Sequence, residues 1–514
     1  MDSKTHRQSE KELISKDKKQ DTTLIMKKIR GKTIFTFFNP VVVEPLELEY
    51  IEKILADLPL KIFIEDPFFT DNHIEGDIYL FNGYNTGFEA MKKEAKRIKN
   101  RDPKKIIIVS GVDVQVNGER YMVECFDFVY TSPDLAAFRG FMEGLLNGEI
   151  RKVPGLIINR VDHWEKIPMK RSPESVQTRE TFQTQEVFPM PSRRFYHQHK
   201  EKTRYLHYRE VALVKKSLGC PYTCRFCFCR ALNNGQYVEG SFQRMFEEME
   251  TINARYFWVV DDVFLKNHRD VEGFLGAQKE HEGRMKEKTE PLIVYLRADF
   301  IRTEKESLKA LKEAGVTEII IGLESVKEET LKRYQKGVTG DENAEAVKAL
   351  KEAGISYTAL FMVDPSHRVE DFKALRKFIR RHGIKKYTFS IFTPIQGADD
   401  YEEYKEEIMD FDQRKYDFLH LVLPPRHMSR KRFQWEFAKL HIFQFFHSAD
   451  ARRFLLKSIA EPPVRSLAKL LRKPAGYAQT KEAEKTMMKR TEESMDKRNE
   501  NTEGNDPEKG GWKS

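Results

Sequence analysis

The sequence predicts an α/β protein made of two successive arrays of parallel strands. An N-terminal doubly wound sheet comes first, then an open, partial barrel of six β/α units, and a helical extension closes the chain. Three observations carry this reading. Short apolar runs rich in β-branched and aromatic residues alternate with helical patterns in two separate stretches. A polar, Pro-containing stretch divides them. Four of the five cysteines crowd into ten residues directly after the first strand of the second array.

Taken in order, residues 1–30 and 476–514 are charged and nearly without apolar periodicity, so both are expected to be disordered: neither can bury enough surface to offset the entropy of ordering. The first array occupies 31–155, with strands expected at 34–38, 61–64, 77–81, 105–109 and 126–130. Residues 156–205 contain Pro168, Pro173, Pro189 and Pro191 and read as a surface linker. The second array, 206–400, places strands at 212–214, 256–260, 292–296, 317–321, 357–361 and 387–391, too few to close an eight-unit barrel. Residues 401–475 read as mostly helical. There Phe433, Trp435, Phe437, Phe443, Phe445, Phe446 and Phe454 interleave with basic residues; helical spacing favours packing into the protein, with contact to a membrane surface as the second reading.

Composition limits the function classes. With 514 residues, 40% hydrophobic and 33% charged, the chain has the make-up of globular domains with charged tails. No apolar run approaches the ~18–20 residues that span a bilayer. The first residues lack the apolar middle of a secretory signal, so a cytoplasmic location is expected. The net charge of +9, from 89 basic and 80 acidic residues, is mild for this length and gives no reason to expect nucleic acid. Clustered cysteines in such a chain indicate metal or redox chemistry, where a disulfide framework would spread an even set through a small domain.

The chemistry-bearing segment is Gly219-Cys220-Pro221-Tyr222-Thr223-Cys224-Arg225-Phe226-Cys227. It follows a strand, and the loop at a strand's carboxyl end is where βα arrays form their active sites. Three thiolates spaced CxxxCxxC can hold three irons of a cubane and leave the fourth without a protein ligand. A structural zinc site usually takes four ligands in pairs, and the sequence offers no second CxxC or HxxxH. Cys229 has no vacancy to fill if a small molecule takes the open iron.

This segment resembles the signature of the radical S-adenosylmethionine (SAM) superfamily, including the aromatic Phe226 before the last cysteine. The resemblance implies a [4Fe–4S] cluster on Cys220, Cys224 and Cys227, with SAM chelating the open iron and yielding a 5′-deoxyadenosyl radical. It also implies SAM contacts at Asp261 and Asp262 after the second strand, Arg297 after the third and Glu324 after the fourth, and a ferredoxin- or flavodoxin-type electron donor.

The first array resembles the cobalamin-binding domain of one branch of that superfamily, through Gly83-Tyr84-Asn85-Thr86 after its third strand and Gly111 after its fourth. It departs at Thr131-Ser132-Pro133-Asp134, where relatives carry Gly-Glu-Gly-Glu, and the loss of two glycines removes backbone freedom. Asp71-Asn72-His73-Ile74-Glu75-Gly76 spells the DxHxxG signature of proteins that ligate cobalt through histidine, but it precedes the third strand instead of following the first, so it is set aside. Met362-Val363-Asp364-Pro365, Thr393-Pro394-Ile395-Gln396-Gly397 and Leu423-Pro424-Pro425 are similar to the hopanoid C-3 methylase group. These resemblances imply a cobalamin-dependent methylase acting on an unactivated carbon of a small molecule or lipid. The alternatives are a cobalamin-independent SAM-radical rearrangement or cyclisation, and a non-catalytic iron–sulfur or zinc protein.

Overall fold

A computed structural model of the chain describes residues 22–31, 41–70, 73–160, 162–169, 189–285, 290–450 and 452–453. The strand expected at 34–38 and the tail 476–514 lie outside the described residues, as does Phe454.

The first array is a sheet of seven strands. In chain order they are β1 (Thr22–Ile29), β2 (Leu60–Glu65), β3 (Ile78–Gly83), β4 (Ile106–Ser110), β5 (Phe128–Tyr130), β6 (Leu156–Asn159) and β7 (Trp164–Lys166), arranged β2-β1-β3-β4-β5-β6-β7. The first five run parallel and the last two antiparallel. Helices cover both faces, which defines a doubly wound sheet. On one side α1 (Leu46–Leu55) and α4 (Leu135–Leu146) bury Leu48, Leu55, Phe138 and Phe141 against Leu24, Leu80 and Ile108. On the other, α2 (Phe88–Arg101) and α3 (Val112–Asn117) bury Phe88, Met91 and Val114 against Ile25, Phe81 and Val109.

Two expectations are corrected here. The segment 1–30 was expected to be disordered, yet Thr22–Ile29 is a central strand buried on both faces. Its lysines disguise it. Lys27 is buried and pairs with Glu65 and Glu94 at 3.0 and 2.8 Å, and Lys28 is buried against Asn82, so charges that suggest solvent in the sequence are neutralised inside. The stretch 156–205, expected to be a linker, supplies β6 and β7, whose antiparallel pairing extends the edge of the sheet beyond β5. It also supplies the short helix Arg194–His199.

The second array matches its expectation strand for strand. The strands β8 (Val211–Val214), β9 (Tyr256–Val259), β10 (Leu292–Arg297), β11 (Val316–Glu324), β12 (Ser356–Val363) and β13 (Tyr387–Ile391) follow one another in space as in sequence, all parallel. Crossover helices, among them α5 (Phe242–Glu250), α6 (His268–Met285), α7 (Gly340–Ala353) and α8 (Val369–Arg381), bury Phe246, Phe274, Leu350 and Phe372 against the sheet. Capping follows local chemistry: Thr339 and Glu342 form a reciprocal capping box at the start of α7, and Gly354 ends it in the left-handed conformation.

Beyond the barrel the chain is less helical than expected. Short turns fill most of 405–429 before one long helix, α9 (Arg430–His447). Its buried face, Phe433, Phe437, Leu440 and Phe443, packs into the barrel core, with Phe433 edge-on to Phe372 and Phe443 stacked near Tyr387. No described helix is long and apolar enough to cross a membrane.

Candidate active site

The cysteine loop is held from below. After β8, the backbone amides of Lys216 and Ser217 donate to one oxygen of Asp261 at 2.7 and 3.0 Å, and Asp261 is completely buried. Ser217–Leu218 then pairs antiparallel with Val238–Glu239, clipping the two ends of the excursion together. Gly219 sits at φ 75°, and a Cβ there would lie 2.4 Å from the Gln236 carbonyl oxygen, so only glycine passes. Asp261, expected beside SAM, therefore positions the loop backbone.

Cys220, Cys224 and Cys227 follow, all partly exposed; the Cys227 amide donates to the Cys224 carbonyl at 3.1 Å. Among the described residues, no three His, Cys, Asp or Glu side chains converge as they would around one metal ion. A cubane does not ask for that, since each thiolate takes a different iron. Burial pushes the Cys220 thiol up to about 11, and a bound cation would favour its thiolate. The adjacent Cys227 and burial hold the Cys229 thiol above its usual range, and burial does the same for the neighbouring Asp262 carboxyl.

Other residues named from the sequence gather around this loop. Arg297 ends β10 with one N–H 3.4 Å from the Cys224 Sγ, and its guanidinium lies 3.9 Å over the Tyr222 ring. Asp299 and the Lys336 carbonyl hold its remaining donors at 3.0 and 2.5 Å. Glu324 ends β11 at φ 57°, where the register with β12 shifts. That irregularity re-aims its side chain toward the buried Lys336, 2.9 Å away. Phe226 rests on Tyr334 with ring centroids 5.0 Å apart.

Lys336 is the residue the sequence reading missed. It joins Glu324 by its ammonium and Arg297 by its carbonyl, yet it lies in a loop between helices and carries no motif.

The first domain turns its own carboxyl edge toward this region. Gln115 of α3 accepts from the Asn233 amide, in the turn after the cysteines, at 3.4 Å. Arg120 donates to Gln396, just past β13, at 2.8 Å. After β3 on the same sheet, Tyr84 is 52% exposed, with the Lys28 ammonium 5.0 Å over its ring. Asn85 and Thr86 continue that turn, with Thr86 pressed on Gly31. Ser110 is buried at the end of β4, with no hydrogen-bond partner for its hydroxyl.

Gly83 and Gly111, expected to contact a ligand, are packed within the sheet. Gly83 is buried within β3, and Gly111 at φ 120° lies against Asn82 and Gly83. The replaced turn at 131–134 is tied down: Thr131 donates to the Gly155 carbonyl and Asp134 caps α4. His73 is 80% exposed beside Glu65, far in character from a metal ligand.

An open parallel barrel with a three-cysteine loop after its first strand defines an iron–sulfur βα enzyme class. Residues 214–414 match the family described as the radical SAM superfamily, and this stretch is a radical SAM domain; that class implies a [4Fe–4S] cluster and SAM. The chain is 27% identical over 216 residues to hopanoid C-3 methylase of Methylococcus capsulatus, covering 42% of this chain and 41% of that one. It is 27% identical over 237 residues to bacteriochlorophyllide d C-8(2)-methyltransferase of Chlorobaculum tepidum, covering 44% and 51%. It thus spans about half or less of the length of these relatives. Among solved structures, the cobalamin-dependent S-adenosylmethionine radical enzyme OxsB shares the fold, with TM-score 0.62 and 16% identity over 83% of this chain and 67% of that one.

Proposed function

We propose that the chain is a radical SAM C-methyltransferase that uses cobalamin and acts on an unactivated carbon of a small molecule or lipid. The observation that carries this reading is the meeting of two carboxyl edges: the first sheet's edge, which bears Tyr84, Lys28 and the buried Ser110 hydroxyl, touches the barrel at the turn after the cysteines (Gln115–Asn233) and just past β13 (Arg120–Gln396), and that edge is where such sheets bind ligands. One relative named as a methylase, one named as a methyltransferase and a structural neighbour described as cobalamin-dependent support the same reading.

The residues present fit both groups. Cys220, Cys224 and Cys227 would hold the cluster, and Arg297 and Glu324 would hold SAM, while Tyr84, Asn85, Thr86 and Ser110 would face the corrinoid. Bound there, cluster and SAM supply radical chemistry and the corrinoid supplies a methyl group. The chain's own part is positional. Asp261 and Gly219 set the path of the cysteines. Arg297 brings positive charge beside Cys224, where it offsets thiolate charge and suits a carboxylate. Lys336 fixes Glu324 and, through its carbonyl, Arg297. A ferredoxin- or flavodoxin-type protein would supply the electron.

The test is anaerobic reconstitution with iron, sulfide and cobalamin, followed by absorbance for bound corrinoid and an assay for SAM cleavage. Wild type should take up corrinoid and cleave SAM. Cys220→Ala, Cys224→Ala and Cys227→Ala should each lose the cluster and cleavage, while Cys229→Ala and His73→Ala keep both activity and corrinoid spectrum. A chain that cleaves SAM without taking up corrinoid would leave the rearrangement or cyclisation reading in place.

A further inference from the structure

Helix α9 has two opposite faces, and among the described residues one of them is packed into the barrel. Phe433, Phe437, Leu440 and Phe443 enter the barrel core. On the other side Trp435, Ile442 and Phe446 stand 53%, 48% and 73% exposed. At 100° per residue, positions 435, 442 and 446 fall within about 20° of a common line along the helix. Single exposed apolar side chains are ordinary, but three large ones in register form a stripe that needs an explanation.

The charge around the stripe identifies what would cover it. Lys431 and Lys439 flank the line about 40° to either side on the same wheel, and Arg430 and Arg432 stand exposed at the helix start. Lys439 lies 5.5 Å over the Trp435 ring, so the stripe and its basic border are one surface. The helix has a single acidic residue, Glu436. That carboxylate is 1% exposed and already paired with Arg432 and Lys439 at 2.8 and 2.9 Å. The outer face is therefore cationic and aromatic with no exposed acid. A second copy of the same face would be repelled by like charge. A bilayer with anionic headgroups offers both an apolar boundary for Trp, Ile and Phe and acceptors for Lys and Arg.

We infer that α9 is an interfacial helix that docks the protein on an anionic membrane surface, lying flat with Trp435, Ile442 and Phe446 inserted at the headgroup boundary. The inference does not rest on the proposed reaction.

The experiment is co-sedimentation of the full chain with vesicles of phosphatidylcholine alone or mixed with phosphatidylglycerol. Binding should require phosphatidylglycerol and weaken with salt. The variant Trp435→Ser/Ile442→Ser/Phe446→Ser should bind at least about tenfold more weakly, and Lys431→Glu should bind several-fold more weakly, each with an unchanged unfolding midpoint because the replaced side chains face outward. Acrylamide quenching of Trp435, read as the difference between wild type and Trp435→Phe, should be strong without vesicles and suppressed by them. No binding by wild type, or equal binding by the triple variant, overturns the inference. So does a Trp435 already shielded without lipid, which would mean that residues 454–514 or a second copy cover the stripe.

Discussion

Arg297 and Glu324 show how a residue's role depends on what surrounds it. Arg297 has one N–H directed at the Cys224 sulfur and its other donors on Asp299 and the Lys336 carbonyl, so its geometry is fixed before any ligand arrives. Glu324 sits in a left-handed backbone conformation that aims its carboxylate at Lys336. Arg297→Ala and Glu324→Ala should each weaken SAM binding by roughly ten- to a hundredfold, the effect of a lost hydrogen bond to a charged group, and leave iron content intact. Lys336→Met should act in the same direction through Glu324, whose partner it removes, while the backbone carbonyl that holds Arg297 remains. Isothermal titration with SAM alongside iron analysis checks all three, and unchanged affinity would make these strand ends structural.

At the scale of elements, the loop between β8 and α5 is shaped by its neighbours more than by its own sequence. Asp261 comes from the end of β9, accepts two backbone N–H groups of the loop's first residues, and is entirely buried. Asp261→Ala would leave those two amides unpaired in the interior, at a cost of about 1–3 kcal/mol each. The expected outcome is a lower unfolding midpoint together with incomplete iron loading, because the cysteines lose their common path. Full loading with normal stability in Asp261→Ala would show that the Ser217–Leu218 clip suffices alone. β1 belongs to this scale too: Thr22–Ile29 becomes a strand because Glu65, Glu94, Asn82 and Glu47 surround two lysines.

Across the whole molecule, one buried ionic cluster ties the first array to the barrel. Arg193, itself buried, donates to Glu44 at 3.2 Å and to the Leu213 carbonyl at 2.6 Å, lies 3.8 Å from Glu49, and meets Glu248 of α5. Arg244 also pairs with Glu248. Two guanidinium groups thus face three carboxylates, and burial raises the Glu44 and Glu49 carboxyls well above the usual carboxylate range, to about 8 at Glu44. The native state then keeps protons that the unfolded chain releases. Stability from this source is fully present below the ordinary value of 4.5 and is lost as pH rises through the neutral range toward 8. Unfolding midpoints from about pH 5 to about pH 8 should fall more steeply in wild type than in Glu44→Gln. Arg193→Met should lower stability, since it removes the hydrogen bonds to Glu44 and to the Leu213 carbonyl and one of the two guanidinium partners of Glu248.

By itself the sequence determined the parallel barrel, the cysteine loop and the strand-end positions of Arg297 and Glu324, because periodicity and motif spacing are local and a βα unit fixes where its loop must lie. It misjudged Thr22–Ile29, where two lysines carry the local signal of exposed chain, and 156–166, whose polar residues run on into the Pro-containing stretch that follows; only partners distant in sequence make these strands. It also could not reveal Lys336 as the link between Glu324 and Arg297, the duty of Asp261 to the loop backbone, or the division of α9 into a core face and an exposed basic-aromatic face. Each of these depends on which side chains the folded chain brings within a few ångströms. Charge and burial are properties of that neighbourhood, and only the tertiary structure decides it.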